Sequence, residues 1–145
     1  MLCALGARVA VRSRGGEREI QIEELIVGHY ETSLRPDELI TEVRVPSGVE
    51  RAVYRKFCSR SHEDRPCVGV AAALAGGRLR VVVGAVTGRP QLFPEICKLG
   101  VGAAAEVGSR YAEAIDPISD LRGSAEYRRR VIAVEVRRAV EALAG

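Results

Sequence analysis

Apolar and polar residues alternate from Ala7 onward in "LCALGARVAVR" (residues 2–12), and the stretch reads as a strand. Turn glycines follow in "SRGGER". The period-two run "EIQIEE" then sets Ile20 and Ile22 on one face, so the two segments predict a hairpin. "IEELIVGHYETS" predicts one helical turn ending near Gly28. Pro36-Asp37-Glu38 marks a turn, and the strand after it must stop at Pro46, because proline has no N–H to give a ladder. "SGVE" (residues 47–50) reads as a connector and a domain boundary.

Beyond it the pattern changes. "RAVYRKFCSR" predicts a strand with Ala52, Tyr54, Lys56 and Cys58 on one face and Val53, Arg55 and Phe57 on the other. "VGVAAAL" predicts a second strand, Gly76-Gly77 a tight turn, and "RLRVVVGAVTGRP" a third strand, together an antiparallel meander. After Pro90 the text becomes helical. Pro94 suits a first helical turn. "GAAAEVGSRYAEAI" is Ala-rich, though Gly108 weakens it. In the last segment Ser124 can cap, and Ile132, Val136, Ala139, Val140 and Leu143 recur at helical spacing. Strands followed by helices predict an α+β fold, an antiparallel sheet of three to four strands packed on helices. The expected division is residues 1–47 and residues 48–145.

A chain of 145 residues suits one domain, or one domain plus a fragment. Aromatics make up 4% and Trp is absent, so Val, Ala, Leu and Ile must build the core. Twenty arginines stand against two lysines, Lys56 and Lys98, yet acids are interspersed and the net charge is only +3. That balance argues against a broad nucleic-acid footprint. No apolar run reaches membrane length, and Arg8 interrupts anything resembling a signal peptide, so a cytoplasmic protein is expected.

The candidate chemistry is sparse. Cys3, Cys58, Cys67 and Cys97 form no C-x-x-C pair, which disfavours zinc and iron–sulfur frameworks. Cys58 and Cys67 flank one loop and could pair across it, or remain reduced thiols. His29 with Glu31, and His62 with Glu63 and Asp64, lack the i, i+4 spacing of a helical metal pair and read as solvated loop residues. Arg128-Arg129-Arg130 could meet phosphate or an acidic partner, or form a solvated helix face. Lys56 is ordinary for an edge or solvent-facing strand position.

Several of these stretches, in order and spacing, resemble the flavoprotein (medium) subunit of the molybdenum hydroxylases, the xanthine dehydrogenase and carbon monoxide dehydrogenase family. "GGEREIQIEELIVGHYETSLRPDELITEVRVP" resembles the end of that family's FAD-binding domain. "YRKFCSRSHEDRPCVGVAAAL", "VGAVTGRP" and "DLRGSAEYRRRVIAVEVRRAVEAL" resemble its C-terminal domain. The resemblance implies FAD as cofactor, with Ile40 and Lys56 as flavin contacts. It implies partners: a molybdenum cofactor subunit, an iron–sulfur subunit, and the N-terminal half of the FAD-binding domain, whose pyrophosphate loops would precede residue 1. It implies electron transfer from iron–sulfur clusters through flavin to NAD, a quinone or oxygen, without a catalytic residue in this chain. An orphan interaction domain that keeps the fold without flavin is the alternative. An exposed apolar patch is expected where the other half would dock.

Overall fold

The structure, a computed structural model, describes residues 1–61 and 64–145, so the reading made for His62 and Glu63 lies outside the described residues. The chain runs α1 (Leu2–Leu5), β1 (Arg8–Ser13), β2 (Gly16–Gln21), α2 (Ile22–Leu25), β3 (Ile26–Gly28), β4 (Glu31–Thr32) and β5 (Leu39–Arg44). It continues through β6 (Val49–Phe57), β7 (Val68–Ala75), β8 (Arg78–Gly84), β9 (Gln91–Leu92) and α3 (Pro94–Cys97). After a 3-10 turn over Val101–Ala103 come α4 (Ala104–Ala114) and α5 (Ala125–Ala144). Three antiparallel sheets result, ordered β2-β1-β5, β3-β4 and β6-β7-β8-β9.

The α+β expectation holds, with helices α3 to α5 on one face of the four-stranded sheet and the N-terminal elements on the other. β7 separates two cores. Val68, Val70 and Ala72 join Leu79, Val81 and Val83 beneath the helices, while Ala71, Ala73 and Val82 meet Val9, Val11, Ile20 and Ile22. A strand covered on both sides needs no polar alternation, which explains the unbroken apolar text of "VGVAAAL". Arg80 ties the two layers together: it donates to the Cys3 carbonyl at 2.9 Å and pairs with Glu23 of α2.

Several local expectations need correction. Leu2–Leu5 is a helical turn rather than the start of a strand, because it buries the consecutive residues Cys3 and Ala4, which a strand would send to opposite faces. The helical turn after β2 ends at Leu25, not near Gly28, because Ile26–Gly28 pairs with β4. Val49 and Glu50 belong to β6 rather than to a connector, with a register shift between Val49 and Arg51. The third meander strand stops at Gly84, where Ala85 takes φ 66, and β9 adds a short fourth strand.

Gly108 looked like a weakness in α4 and is a requirement of the helix pair. A Cβ there would lie 2.4 Å from the Ala133 carbonyl of α5. Ser124 caps α5 by accepting from Tyr127 N–H at 3.2 Å. Tyr111 is buried, and burial, reinforced by Cys97 beside it, pushes its phenol well above the ordinary value. It therefore stays a donor, to the Val81 carbonyl at 2.6 Å. All four cysteines are free; Cys3, Cys67 and Cys97 are buried and Cys58 is half-buried.

Candidate functional site

Register determines which side chains share the sheet face opposite the helices. Lys56 lies across from Gly69, and Gly69 from Gly84. Two residues along, Tyr54 faces Ala71 and Ala71 faces Val82. Cross-strand partners project to the same side. Lys56 therefore shares its face with Ala71, Ala73 and Val82, the residues on which the N-terminal layer packs. That layer does not reach the end of the sheet: Lys56 is exposed and Tyr54 is 51% exposed. The row Lys56–Gly69–Gly84 thus forms a shelf of mixed cover: Lys56 is exposed, Gly84 is half-buried and Gly69 is buried. The Tyr54 hydroxyl lies 3.0 Å from where a Cβ on Gly69 would sit, while a Cβ on Gly84 would meet nothing within 4 Å. The Tyr54 side chain covers Gly69, and Gly84 is the glycine of this row that a neighbouring group can approach closely.

Ile40 sits on a different sheet. β5 packs chiefly on β1, and β6 on β7 and α5, so direct strand contact does not join Ile40 to Lys56. Ile40 pairs with Val11 and Val43 with Val9. Residues three apart on a regular strand face opposite ways, but the register shifts between Ala10 and Val11, and Thr41 donates to the Ala10 carbonyl at 3.2 Å. This bulge turns Ile40 and Val43 to the side of buried Val9 and Val11. Both are nonetheless near half exposed, an overhang of the second core beyond its cover. Val27, Tyr30, Leu39 and Val45 add to the apolar exposure between residues 27 and 45.

The loop that delivers Ile40 is held by an ion pair invisible in the sequence pattern. Arg18 grips Glu38 through two bonds, Nε to Oε1 at 2.7 Å and Nη2 to Oε2 at 2.8 Å. The Arg35 N–H adds a third to Oε2 at 2.8 Å. The Arg18 guanidinium first, and then the Arg35 N–H, lower the Glu38 carboxyl to about 2. Tyr30, with φ 60, accepts from Arg65 Nη1 at 3.3 Å, which links the β3–β4 hairpin to the loop entering β7. His29 makes an edge contact with the Tyr30 ring at 4.4 Å, and Glu31 folds back over Gly28.

The shelf is anchored from behind by Arg128, which corrects the reading of the arginine triplet as one surface run. Arg129 and Arg130 are exposed and pair with Asp116 and Glu126. Arg128 is fully buried. It donates to the carbonyls of Cys67 at 2.9 Å, Ala85 at 2.5 Å and Gly123 at 3.3 Å, and to Asp120 Oδ1 at 2.5 Å. Burial pulls the Asp120 carboxyl up, but bonds from the Arg122 N–H and Arg128 outweigh it and hold the group below its ordinary value. Cys67 stands two residues before Gly69 and Ala85 directly after Gly84, so one guanidinium positions both glycines' strands.

Sequence reasoning missed Tyr54, Gly69, Gly84, Glu38 and Arg128. A signal existed for the glycine pair: Gly69 and Gly84 are equidistant from the Gly76-Gly77 turn, so any two-residue hairpin must set them opposite each other.

A four-stranded antiparallel sheet with helices on one face and an N-terminal layer partly covering the other is an α+β architecture. Residues 52–143 match the family described as CO dehydrogenase flavoprotein C-terminal domain, and residues 1–48 match the FAD binding domain in molybdopterin dehydrogenase. The chain belongs to the CO dehydrogenase flavoprotein family, and FAD is the cofactor that this membership assigns to it. It is 35% identical over 153 residues to the nicotine 6-hydroxylase medium subunit of Paenarthrobacter nicotinovorans, covering 97% of this chain and 53% of that protein. It is 30% identical over 153 residues to the carbon monoxide dehydrogenase medium chain of Afipia carboxidovorans, covering 97% and 53%. Among solved structures, reconstituted CO dehydrogenase from Oligotropha carboxidovorans aligns with TM-score 0.83 and 28% identity over 97% of this chain and 53% of that one. Quinoline 2-oxidoreductase from Pseudomonas putida aligns with TM-score 0.82 and 26% identity over 96% and 52%. The chain thus spans about half the length of the curated relatives it matches. No helix among the described residues is long and apolar enough to cross a membrane.

Proposed function

We propose that this chain forms one wall of the flavin site in the medium subunit of a molybdenum hydroxylase-type dehydrogenase. Residues 1–47 are the tail of the FAD-binding domain and residues 48–145 its C-terminal companion. The observation that supports the reading is exposed Lys56 at the end of the sheet face that the N-terminal layer does not cover, in one row with half-buried Gly84. When bound, FAD supplies the exchange between single electrons arriving from iron–sulfur clusters and the demand of NAD, a quinone or oxygen. The chain's own residues bind and orient. Gly84, which has no side chain and nothing within 4 Å of where one would start, lets a flat ring lie close to the backbone. Lys56 brings positive charge, which favours an anionic ring over a neutral one. Ile40 packs its aliphatic side chain against the cofactor and excludes water. The molybdenum cofactor subunit and the iron–sulfur subunit are the partners on this reading.

The test combines this chain with the polypeptide that makes up the other half of the relatives' length. The complete subunit is expected to purify yellow with flavin absorbance. Lys56→Met should leave flavin bound but move its potential to more negative values. An unchanged potential removes the role given to Lys56. A subunit that stays colourless with added FAD favours the orphan interaction domain instead.

A further inference from the structure

Among the described residues, β5 pairs with β1 alone, and all six of its residues are exposed. Burial therefore does little to fix where its side chains lie. The register shift between Ala10 and Val11 leaves Leu39 and Ile40 on a short ladder, opposite Arg12 and Val11. Where Ile40 stands thus depends on the loop that leads into β5.

One guanidinium ties that loop down. Val11 stands opposite Arg18 on one side and opposite Ile40 on the other, so Arg18, Val11 and Ile40 form a row across the three strands. Val11 is buried at the centre of the row, and the Arg18 side chain crosses β1 to reach the chain beyond it. Its Nη2 donates to the Ser33 carbonyl at 3.2 Å, where the loop starts, and to the Glu38 carboxylate at 2.8 Å, where it ends. The Ser33 N–H in turn donates to the Leu25 carbonyl at 2.9 Å, and the Glu38 N–H to the Arg35 carbonyl at 3.0 Å. Glu38 is only 9% exposed and precedes Ile40 by two residues, a spacing that sends both side chains to one side of an extended chain. The loop over residues 33–38 is therefore closed on itself and fastened to α2 and β2, directly before Ile40.

We propose that Arg18 is a positioning residue for the flavin: through Glu38 it sets where Ile40 stands against the cofactor, without touching the cofactor itself. The inference rests on the reading of Ile40 as a flavin contact. An exposed edge strand without this clamp opens more readily, and an aliphatic contact held loosely neither packs closely nor excludes water. Lys56 lies on another sheet, so the clamp leaves the charge it brings to the ring unaltered.

The test is a double-mutant cycle on the complete subunit, stripped of flavin and titrated with FAD. Arg18→Met should raise the FAD dissociation constant by about tenfold, the size of coupling expected between groups that share one network. Glu38→Gln, which keeps the volume and removes the charge, should do the same, and it carries the test should Arg18→Met not fold. Arg18→Lys, which keeps a donor for Glu38, should lose less. Combined with Ile40→Ala, neither Arg18→Met nor Glu38→Gln should weaken binding further, because the side chain they position is gone. The flavin potential should stay where it is, in contrast to Lys56→Met. Unchanged FAD affinity in both clamp variants would overturn the proposal. So would an equal loss with and without the Ile40 side chain, which would give Arg18 a direct contact or a general role in the fold. If Ile40→Ala alone leaves affinity unchanged, the flavin contact itself is wrong and the proposal goes with it.

Discussion

Replacing Arg128 by methionine should cost this fold more than any exposed arginine can. The side chain is wholly buried, and its guanidinium satisfies three carbonyls and the Asp120 carboxylate at once. Methionine fills much of the same volume, so packing is largely conserved and the loss is one of polar partners. The buried Cys67 carbonyl and the Ala85 carbonyl lose the guanidinium, and the Gly123 carbonyl and Asp120 carboxylate are left with the Asp120 and Arg122 N–H groups. Removing one member of a buried charged pair typically costs about 3–5 kcal/mol. That is a large share of the ~5–15 kcal/mol that holds a domain folded. With a urea m-value of roughly 1–3 kcal/mol/M, the denaturation midpoint should fall by ~1–5 M. Arg128→Lys keeps the charge, but one ammonium cannot serve groups spread over Cys67, Ala85, Gly123 and Asp120, so its midpoint should fall between those of methionine and wild type. Arg129→Met is the control. Arg129 is exposed and, among the described residues, pairs with Asp116 alone, and its loss should lie within about 0.5 kcal/mol of zero. If Arg128→Met shifts the midpoint no further than Arg129→Met, the anchoring argument is wrong. Amide exchange at Gly69 and Gly84 supplies a second check, because release of the Cys67 and Ala85 carbonyls should loosen these positions before the rest of the sheet.

Gly108→Ala would raise helix propensity by about 1 kcal/mol, but its methyl would meet the Ala133 carbonyl at 2.4 Å. Overpacking of this kind costs about 1–3 kcal/mol, so thermal denaturation should show a lower Tm rather than the higher one that propensity alone predicts. Glu38 supplies an acid-sensitive limb. Its carboxyl lies at about 2 when folded against an ordinary 4.5, so its contribution is complete above the unfolded value and is lost as pH falls toward the folded one. Stability measured between these limits should decline with acidification, and Glu38→Gln should flatten that decline; an unchanged slope would assign it to other carboxylates.

Much of the fold was legible because local geometry writes a period into the text. The β1–β2 hairpin, the turn at Gly76-Gly77 and the apolar stripe of α5 all follow from alternation, turn residues and helical spacing. The two-faced burial of β7 was legible only as an absence of polar alternation. The short pieces were misread at their ends. Leu2–Leu5 and β9 are too brief to show a period, and what they pack against decides their form. Gly108 was scored by propensity, whereas proximity of α5 sets its identity.

The site divides along the same line. Lys56 and its face, and the glycine pair set opposite each other by the hairpin, are consequences of strand pleat and turn length, and these act over neighbouring residues. The sequence by itself therefore determined the Gly69–Gly84 pair and the face of Lys56 within its own strand, whereas the pairing of β6 with β7 across the long loop between them set Lys56 opposite Gly69. Arg128 also falls on the buried stripe of α5 by spacing, but nothing local says that a charge can be buried there. Its partners come from Cys67, Ala85 and Gly123, and only the folded chain gathers these carbonyls around one guanidinium. Likewise a bulge at Thr41 turns Ile40 toward the second core, and the reach of the N-terminal layer leaves Lys56 uncovered. Backbone periodicity is local and can be read along the chain. The pairing of distant polar groups depends on how whole layers meet, and only the tertiary structure decided that.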